Sequence, residues 1–256
     1  MAMDKLFGLL GYPLSHSWSA NFFAEKFRKE NIMGCRYNLF PLKKIQELPD
    51  LINSEPDLLG LNVTIPYKEQ VISFLDQLDE SAKEIGAVNT IKIVRNKNTI
   101  FKKGYNTDAI GFEKSLEYFN ITMPKKALIL GTGGASKAVE WVLGKYGCEI
   151  VFVTRNKKNE NHITYDELKN QSIESFQLIV NTTPLGMHPG IDKLPDLPYR
   201  KLKENQTLYD LVYNPAETLF LKKGKEKGCK TVGGLYMLQQ QAEAAWNIWT
   251  ANDKIS

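Results

Sequence analysis

One stretch constrains the fold more than any other: an apolar strand that runs into a glycine-rich turn and then into a helix. Ala127–Leu130 is apolar, Gly131-Thr132-Gly133-Gly134-Ala135-Ser136 follows, and Ala135–Tyr146 repeats with helical period. In a dinucleotide-binding unit the first glycine makes the tight turn and the second lets the backbone approach a pyrophosphate. The helix N-terminus then faces the negative charge. Gly131, Gly133, Gly134 and Ala135 are the candidate nucleotide contacts. Ser136 stands where Gly or Ala is usual, and a tight turn that holds no ligand would read the same locally. The next strand, Glu149–Val153, ends in Thr154-Arg155-Asn156-Lys157-Lys158. Units that bind NAD place an acid there to hold the ribose 2′-hydroxyl. Here there is none, and Arg155, between Thr154 and Asn156, is suited to grip a 2′-phosphate. The expected cofactor is therefore NADP, against the alternative of a solvated basic loop.

Elsewhere, short apolar runs alternate with helical patterns, which predicts an α/β protein with mainly parallel sheets. Strands are expected at Lys5–Gly11, Tyr37–Leu42 and Leu58–Ile65, and a hairpin at Val88–Arg95 and Thr99–Lys103 around Asn96-Lys97-Asn98. Further strands are expected at Ser175–Val180 and Thr207–Val212. Helices are expected over Ser19–Glu30, Lys43–Asn53, Val71–Leu78, Thr107–Phe119, Glu217–Lys227 and from Leu235 to Ala251. At 256 residues the chain is long enough for two modest domains. Charged residues make up 24% and the net charge is only +4, with Lys and Arg scattered, so nothing marks a nucleic-acid surface. Three widely spaced cysteines give neither a disulfide framework nor a metal motif, and three histidines make a metal site improbable. With no apolar run long enough to span a membrane and no signal-peptide pattern, the expected location is the cytoplasm.

Several polar segments point to a ligand. Ser17 and Ser19, in Gly11-Tyr12-Pro13-Leu14-Ser15-His16-Ser17-Trp18-Ser19, precede a helix. They could cap it or receive a carboxylate at its N-terminus. His16 reads as structural. In Asn62-Val63-Thr64-Ile65-Pro66-Tyr67-Lys68 a strand is expected to enter a helix whose first turn carries Lys68. A cation opposes the helix dipole there, and a broken local rule at a strand's C-terminal end points to function, although an exposed turn lysine is the plainer alternative. Asp108 opens its helix, a position that favours an acid in any case. Gln241 falls on the apolar stripe of the last helix while Gln239 and Gln240 fall off it, so it needs a polar partner.

Taken in order, these segments resemble the shikimate dehydrogenase family. The resemblance is carried by Gly-x-Pro-x-x-His-Ser-x-Ser from Gly11, Asn-Val-Thr-Ile-Pro-Tyr-Lys from Asn62, Gly-Ala-Val-Asn-Thr from Gly86 and Asn-Thr-Asp from Asn106. It continues with Gly-Thr-Gly-Gly-Ala-Ser from Gly131, Asn-Thr-Thr-Pro-Leu-Gly-Met from Asn181, Tyr-Asp-Leu-Val-Tyr-Asn-Pro from Tyr209, and Gly-Gly-Leu-Tyr-Met-Leu from Gly233, with Gln241. It implies two α/β domains with a cleft between them. One would be a substrate domain, residues 1–105 completed by 237–256 as the C-terminal helix returns to it. The other would be a Rossmann-like NADP domain, residues 106–236. The implied activity is reversible reduction of 3-dehydroshikimate to shikimate with NADPH, in aromatic amino-acid biosynthesis. Ser17 and Ser19 would hold the substrate carboxylate, aided by Thr64 and Tyr213. Asn62, Asn89 and Gln241 would bond ring hydroxyls or the reacting centre, Lys68 and Asp108 would form the catalytic pair, and Gly234 would join the cofactor contacts. The expected partners are small molecules only, the chain being a monomer or homodimer. Ala20, Ala109, Tyr236 and the order Thr-Arg-Asn depart from the usual family pattern, and Tyr236 is expected to narrow the nicotinamide side of the cleft. Two alternatives stand beside this reading: a quinate/shikimate dehydrogenase that accepts NAD, and a nucleotide-binding sensor of shikimate-pathway acids that does not turn them over.

Overall fold

A computed structural model describes residues 4–14, 17–96, 99–157, 159–170 and 172–251. His16 and the tip of the predicted hairpin at 97–98 lie outside them. The fold is α/β, in two compact units. Met1–Thr107 with Ala242–Ser256 forms the first and Asp108–Gln241 the second.

The first unit is built on a six-stranded mixed sheet. Its strands are β1 (Lys5–Gly11), β2 (Cys35–Pro41), β3 (Leu58–Val63), β4 (Gln77–Leu78), β5 (Thr90–Asn96) and β6 (Thr99–Tyr105), in the order β2-β1-β3-β5-β6-β4. β1 lies between β2 and β3, parallel to both, while β5 runs antiparallel to β3 and β6. Because the chain leaves β1 to opposite sides, the ends of β1 and β3 open a crevice at a topological switch point. Three helices complete this part of the chain: α1 (Trp18–Lys29), α2 (Leu48–Ser54) and α3 (Glu80–Ile85). One core packs Leu6, Leu10, Leu48, Leu58, Leu61 and Ile91 together.

The second unit begins with α4 (Thr107–Tyr118). It carries β7 (Lys126–Leu130), α5 (Gly134–Lys145), β8 (Glu149–Val153), β9 (His162–Ile163), α6 (Tyr165–Asn170), β10 (Leu178–Asn181), β11 (Thr207–Asp210), α7 (Leu219–Lys225) and β12 (Lys230–Gly233). Its sheet is parallel throughout, in the order β12-β11-β10-β7-β8-β9. Counted from β7, this is the 3-2-1-4-5-6 order of a doubly wound dinucleotide fold, whose ligands bind beyond the strand ends where the winding reverses, between β7 and β10.

The last helix, α8 (Leu235–Thr250), starts in the second unit and ends in the first. Its Ala242, Ala245 and Trp249 pack with Phe7, Phe23 and Phe27 in a second core of the first unit. Trp249 stacks on Phe7 at 5.0 Å and donates its indole N–H to the Ile91 carbonyl at 2.9 Å. Buried Lys26 of α1 pairs at 2.7 Å with Glu243 of α8.

Two local expectations give way. The helix expected over 43–53 is a 3-10 turn, Ile45–Glu47, running into α2. The helical spacing at Val71, Ile72, Leu75 and Leu78 belongs to a 3-10 turn, Gln70–Phe74, and then to β4. A period near three suits either kind of helix over so short a run, and strand pairing with β6 claims Leu78. α3 is too short to show an apolar stripe, yet its ends are marked. Asp79 caps its N-terminus, and Gly86, at φ 67°, closes its C-terminus.

Candidate functional site

The first polar cluster lies at the switch point of the first sheet. The segments after β1 and β3 are joined by the Tyr12 N–H, which donates to the Ile65 carbonyl at 3.1 Å, and by the Thr64 N–H, which donates to the Leu10 carbonyl at 2.8 Å. These bonds hold the segment leaving β1 against the turn that carries Thr64. Ser17 is the N-cap of α1, its Oγ accepting from the Ala20 N–H at 3.3 Å. Ser19, buried in the first turn of the helix, gives its hydroxyl to the phenol of Tyr37. Half-buried Lys68 sits in a turn before the 3-10 segment and not in a helical first turn, so the helix-dipole argument for it does not hold. Strand β3 stops at Val63, two residues earlier than its apolar run suggests, and Thr64 and Ile65 belong to the turn.

Beside this cluster Asn62, Asn89, Thr90 and Thr107 are all buried. Asn62 ends β3, and Asn89 directly precedes β5. The carboxamide oxygen of Asn89 accepts from the Thr107 N–H at 2.6 Å and the Thr107 hydroxyl at 3.1 Å, so it caps the start of α4 from another strand. Thr107 is in turn followed by buried Asp108, in the first turn of α4. Tyr37, Thr90 and Thr107 were not legible as site residues. A tyrosine in an alternating strand carries no motif, and only the strand order β2-β1-β3 sets its ring one strand across from Asn62.

In the second unit Gly131 opens the turn after β7 at φ 103°, in the region that favours glycine. A Cβ there would stand 3.0 Å from Thr182 Oγ1 and Thr183 Cγ2, so the glycine turn meets the segment after β10 where the winding reverses. Gly133 is the N-cap of α5; no side chain caps that helix, and the space a Cβ would take at Gly133 is open. Such a cradle of backbone at a helix N-terminus fits a pyrophosphate. Ser136 is buried and donates its hydroxyl to the Gly133 carbonyl at 2.6 Å, which is how the turn accommodates a hydroxyl where Gly or Ala is usual. After β8, Thr154 Oγ1 and the backbone of Asn156 bond reciprocally, at 3.3 and 3.4 Å, shaping the turn that presents exposed Arg155. Lys157 is drawn aside to Glu167 at 2.8 Å, and Lys158 lies outside the described residues.

Tyr213 is half-buried, its phenol pushed up by burial. Gln241 is buried and donates to the Leu238 carbonyl at 3.0 Å. Gly234 begins the approach of α8 to the end of β11: a Cβ there would collide with the Leu211 carbonyl, so packing alone requires a glycine. The ring of Tyr236 stacks on Tyr118 at 4.1 Å. Tyr118 closes α4, about 15 Å along the helix from Asp108 at 1.5 Å per residue. No grouping of three or more His, Cys, Asp or Glu side chains suited to a metal occurs among the described residues.

A doubly wound parallel sheet with an uncapped glycine turn, preceded by a mixed sheet with a polar crevice, defines a dinucleotide-binding α/β class. Comparison with known proteins narrows it. A family model described as the shikimate dehydrogenase substrate binding domain matches residues 9–91. The NADP(+) shikimate dehydrogenase of Methanococcus aeolicus is 38% identical over 261 residues, covering 96% of this chain and 92% of its own. That of Carboxydothermus hydrogenoformans is 40% identical, covering 96% and 91%. The shikimate 5-dehydrogenase of Thermus thermophilus, solved with NADP(H) and shikimate, superposes with a TM-score of 0.82 at 30% identity, covering 96% of this chain and 93% of that one. The chain belongs to the shikimate dehydrogenase family.

Proposed function

We propose that this protein is an NADP-dependent shikimate dehydrogenase that interconverts 3-dehydroshikimate and shikimate. The observation that carries the reading is similarity over nearly the whole chain to NADP(+) shikimate dehydrogenases, with every polar residue singled out in the motifs still present. When bound, NADPH supplies a hydride to the substrate carbonyl carbon. The second unit would hold it: Gly131, Gly133, Gly134 and Ala135 would line the pyrophosphate cradle, and Gly234 would be a further cofactor contact. Thr154, Arg155 and Asn156 take the 2′-phosphate, which only a cationic loop without an acid welcomes.

The first unit is the substrate domain in this reading. Ser17, Ser19, Thr64 and Tyr213 would hold the carboxylate. Asn62, Asn89 and Gln241 hold ring oxygens. The oxygen of the reduced carbonyl needs a proton, and Lys68 and Asp108 are the residues assigned to carry it. The reading places the enzyme in the cytoplasm, as a monomer or homodimer with small-molecule partners only.

The testing experiment is oxidation of NADPH or NADH, followed by absorbance, with 3-dehydroshikimate or 3-dehydroquinate. Turnover of 3-dehydroshikimate with NADPH well above the other three combinations is expected. Preference for NADH or for 3-dehydroquinate would assign it to the broader quinate/shikimate type, and no turnover of either acid would leave a sensor.

A further inference from the structure

Tyr37 links the serine end of the first unit's crevice to its asparagine end. Its hydroxyl donates to Asn62 Oδ1 at 2.8 Å and receives the Ser19 hydroxyl. Its ring is fixed by stacking on Phe23, centroids 4.5 Å apart at 16°. From Asn62 the chain of bonds continues inward: Nδ2 donates to Thr90 Oγ1 at 3.4 Å, and Thr90 Oγ1 lies 3.0 Å from Thr107 Oγ1, which donates to Asn89 Oδ1 at 3.1 Å. Thr90 Oγ1 also donates to Asn89 Oδ1 at 3.2 Å, and with its one proton there or on Thr107, every bond from Ser19 to Asn89 points the same way. A phenol and a hydroxyl each hold one proton, so the direction of one bond sets that of the next.

A carboxamide can turn about its terminal bond and offer either its oxygen or its nitrogen to a ligand. Here Oδ1 is occupied by the Tyr37 donor. Nδ2 has two hydrogens, one directed to Thr90, the other without an acceptor among the described residues. We infer that Tyr37 is a positioning residue: by donating to Asn62 Oδ1 it holds the Asn62 carboxamide so that an N–H, and not the carbonyl, faces the ligand. The inference rests on the reading of Asn62 as a substrate residue. The group recognised is then an oxygen that can accept, a ring hydroxyl's lone pair or the carbonyl. When Ser19 turns its proton toward a carboxylate, Tyr37 keeps its own proton on Asn62, so the orientation survives binding.

The test is steady-state kinetics with shikimate and NADP+ on Tyr37→Phe, Asn62→Ala, their double variant and Asn62→Asp, with melting temperatures and NADP+ binding measured alongside. Tyr37→Phe keeps the ring on Phe23 and removes only the hydroxyl. It should raise KM for shikimate about tenfold, with NADP+ affinity unchanged. Asn62→Ala should raise KM at least as far, and adding Tyr37→Phe to it should change little, because the phenol acts through Asn62. Asn62→Asp leaves Tyr37 and its packing in place and keeps an acceptor for it, but replaces the outward N–H by an oxygen. It should be at least as impaired as Asn62→Ala, and it decides the matter should Tyr37→Phe not fold. The inference is overturned by a normal KM in Tyr37→Phe, by an equal further loss in the double variant, or by a near-normal Asn62→Asp. A normal Asn62→Ala would instead remove Asn62 from the substrate site, and the inference with it.

Discussion

Lys68 sits in a turn at the end of a strand, and Asp108 is buried in the first turn of α4 beside a threonine capped by Asn89. The first turn of a helix favours an acid whatever its role, so the proposed catalytic pair is tested by its kinetics. Lys68→Ala should lower kcat by about 10²–10⁴, the usual worth of a positioned acid or base. KM and NADP+ binding should change far less, since the interaction matters mainly in the transition state. Asp108→Ala should be similarly severe, and the double variant should fall well short of the product of the two. Near-normal kcat in Lys68→Ala would end the assignment. Exposed Arg155 is tested by titration: Arg155→Ala should weaken NADPH roughly ten- to a hundredfold, a charge-assisted bond's worth, and leave NADH nearly unchanged. Equal losses for both nucleotides would reduce Arg155 to a shaping role.

At the scale of elements, β10 and β11 are tied together just where they end. Buried Asp210 accepts from Thr218 Oγ1 at 2.6 Å, from Asn181 Nδ2 at 2.9 Å and from the Val212 N–H at 3.0 Å. Asn181 Oδ1 in turn accepts from the Thr183 hydroxyl at 2.6 Å. The segment that meets Gly131 and the one that carries Tyr213 are therefore shaped by one carboxylate. Burial pushes Asp210 up from 3.8 to about 6, against the pull of its three donors. Between those values the folded chain holds this proton more tightly than the unfolded chain does. Stability from this group is therefore greatest below pH 4 and falls as pH rises to 6, by about 3 kcal/mol. Urea unfolding of the wild type and Asp210→Asn from pH 4 to 7 should show that downward contribution only in the wild type. Parallel pH profiles would contradict it.

At the scale of the whole molecule, the end of the chain completes its beginning. Trp249 is 6% exposed, packs on Phe7 and Phe23, and bonds the Ile91 carbonyl. A strand β1 buried on both faces needs that cover. Trp249→Ala should cost about 3–5 kcal/mol through the cavity it leaves. Denaturant unfolding followed by near-ultraviolet circular dichroism would measure it. A loss under about 1 kcal/mol, well below the usual cost of such a cavity, would mean that α8 contributes little to the first unit.

Much of this architecture was present in local sequence. The strand at 149–153, the glycine turn and the helix that follows it were legible because tight turns, apolar runs and helical period are properties of neighbours along the chain. The serine segment at the start of α1 and the cation-rich turn after β8 fall at element ends that local signs also mark. What the sequence could not decide was how bonds cross between strands. The phenol of Tyr37 orients Asn62, Asn89 caps a helix eighteen residues away, and Asp210 joins two loops, because strand order, not sequence distance, sets which polar groups meet. The same holds for Leu78, whose spacing from Val71 suited a helix while pairing with β6 made it part of a strand, since a single helical turn has little stability of its own.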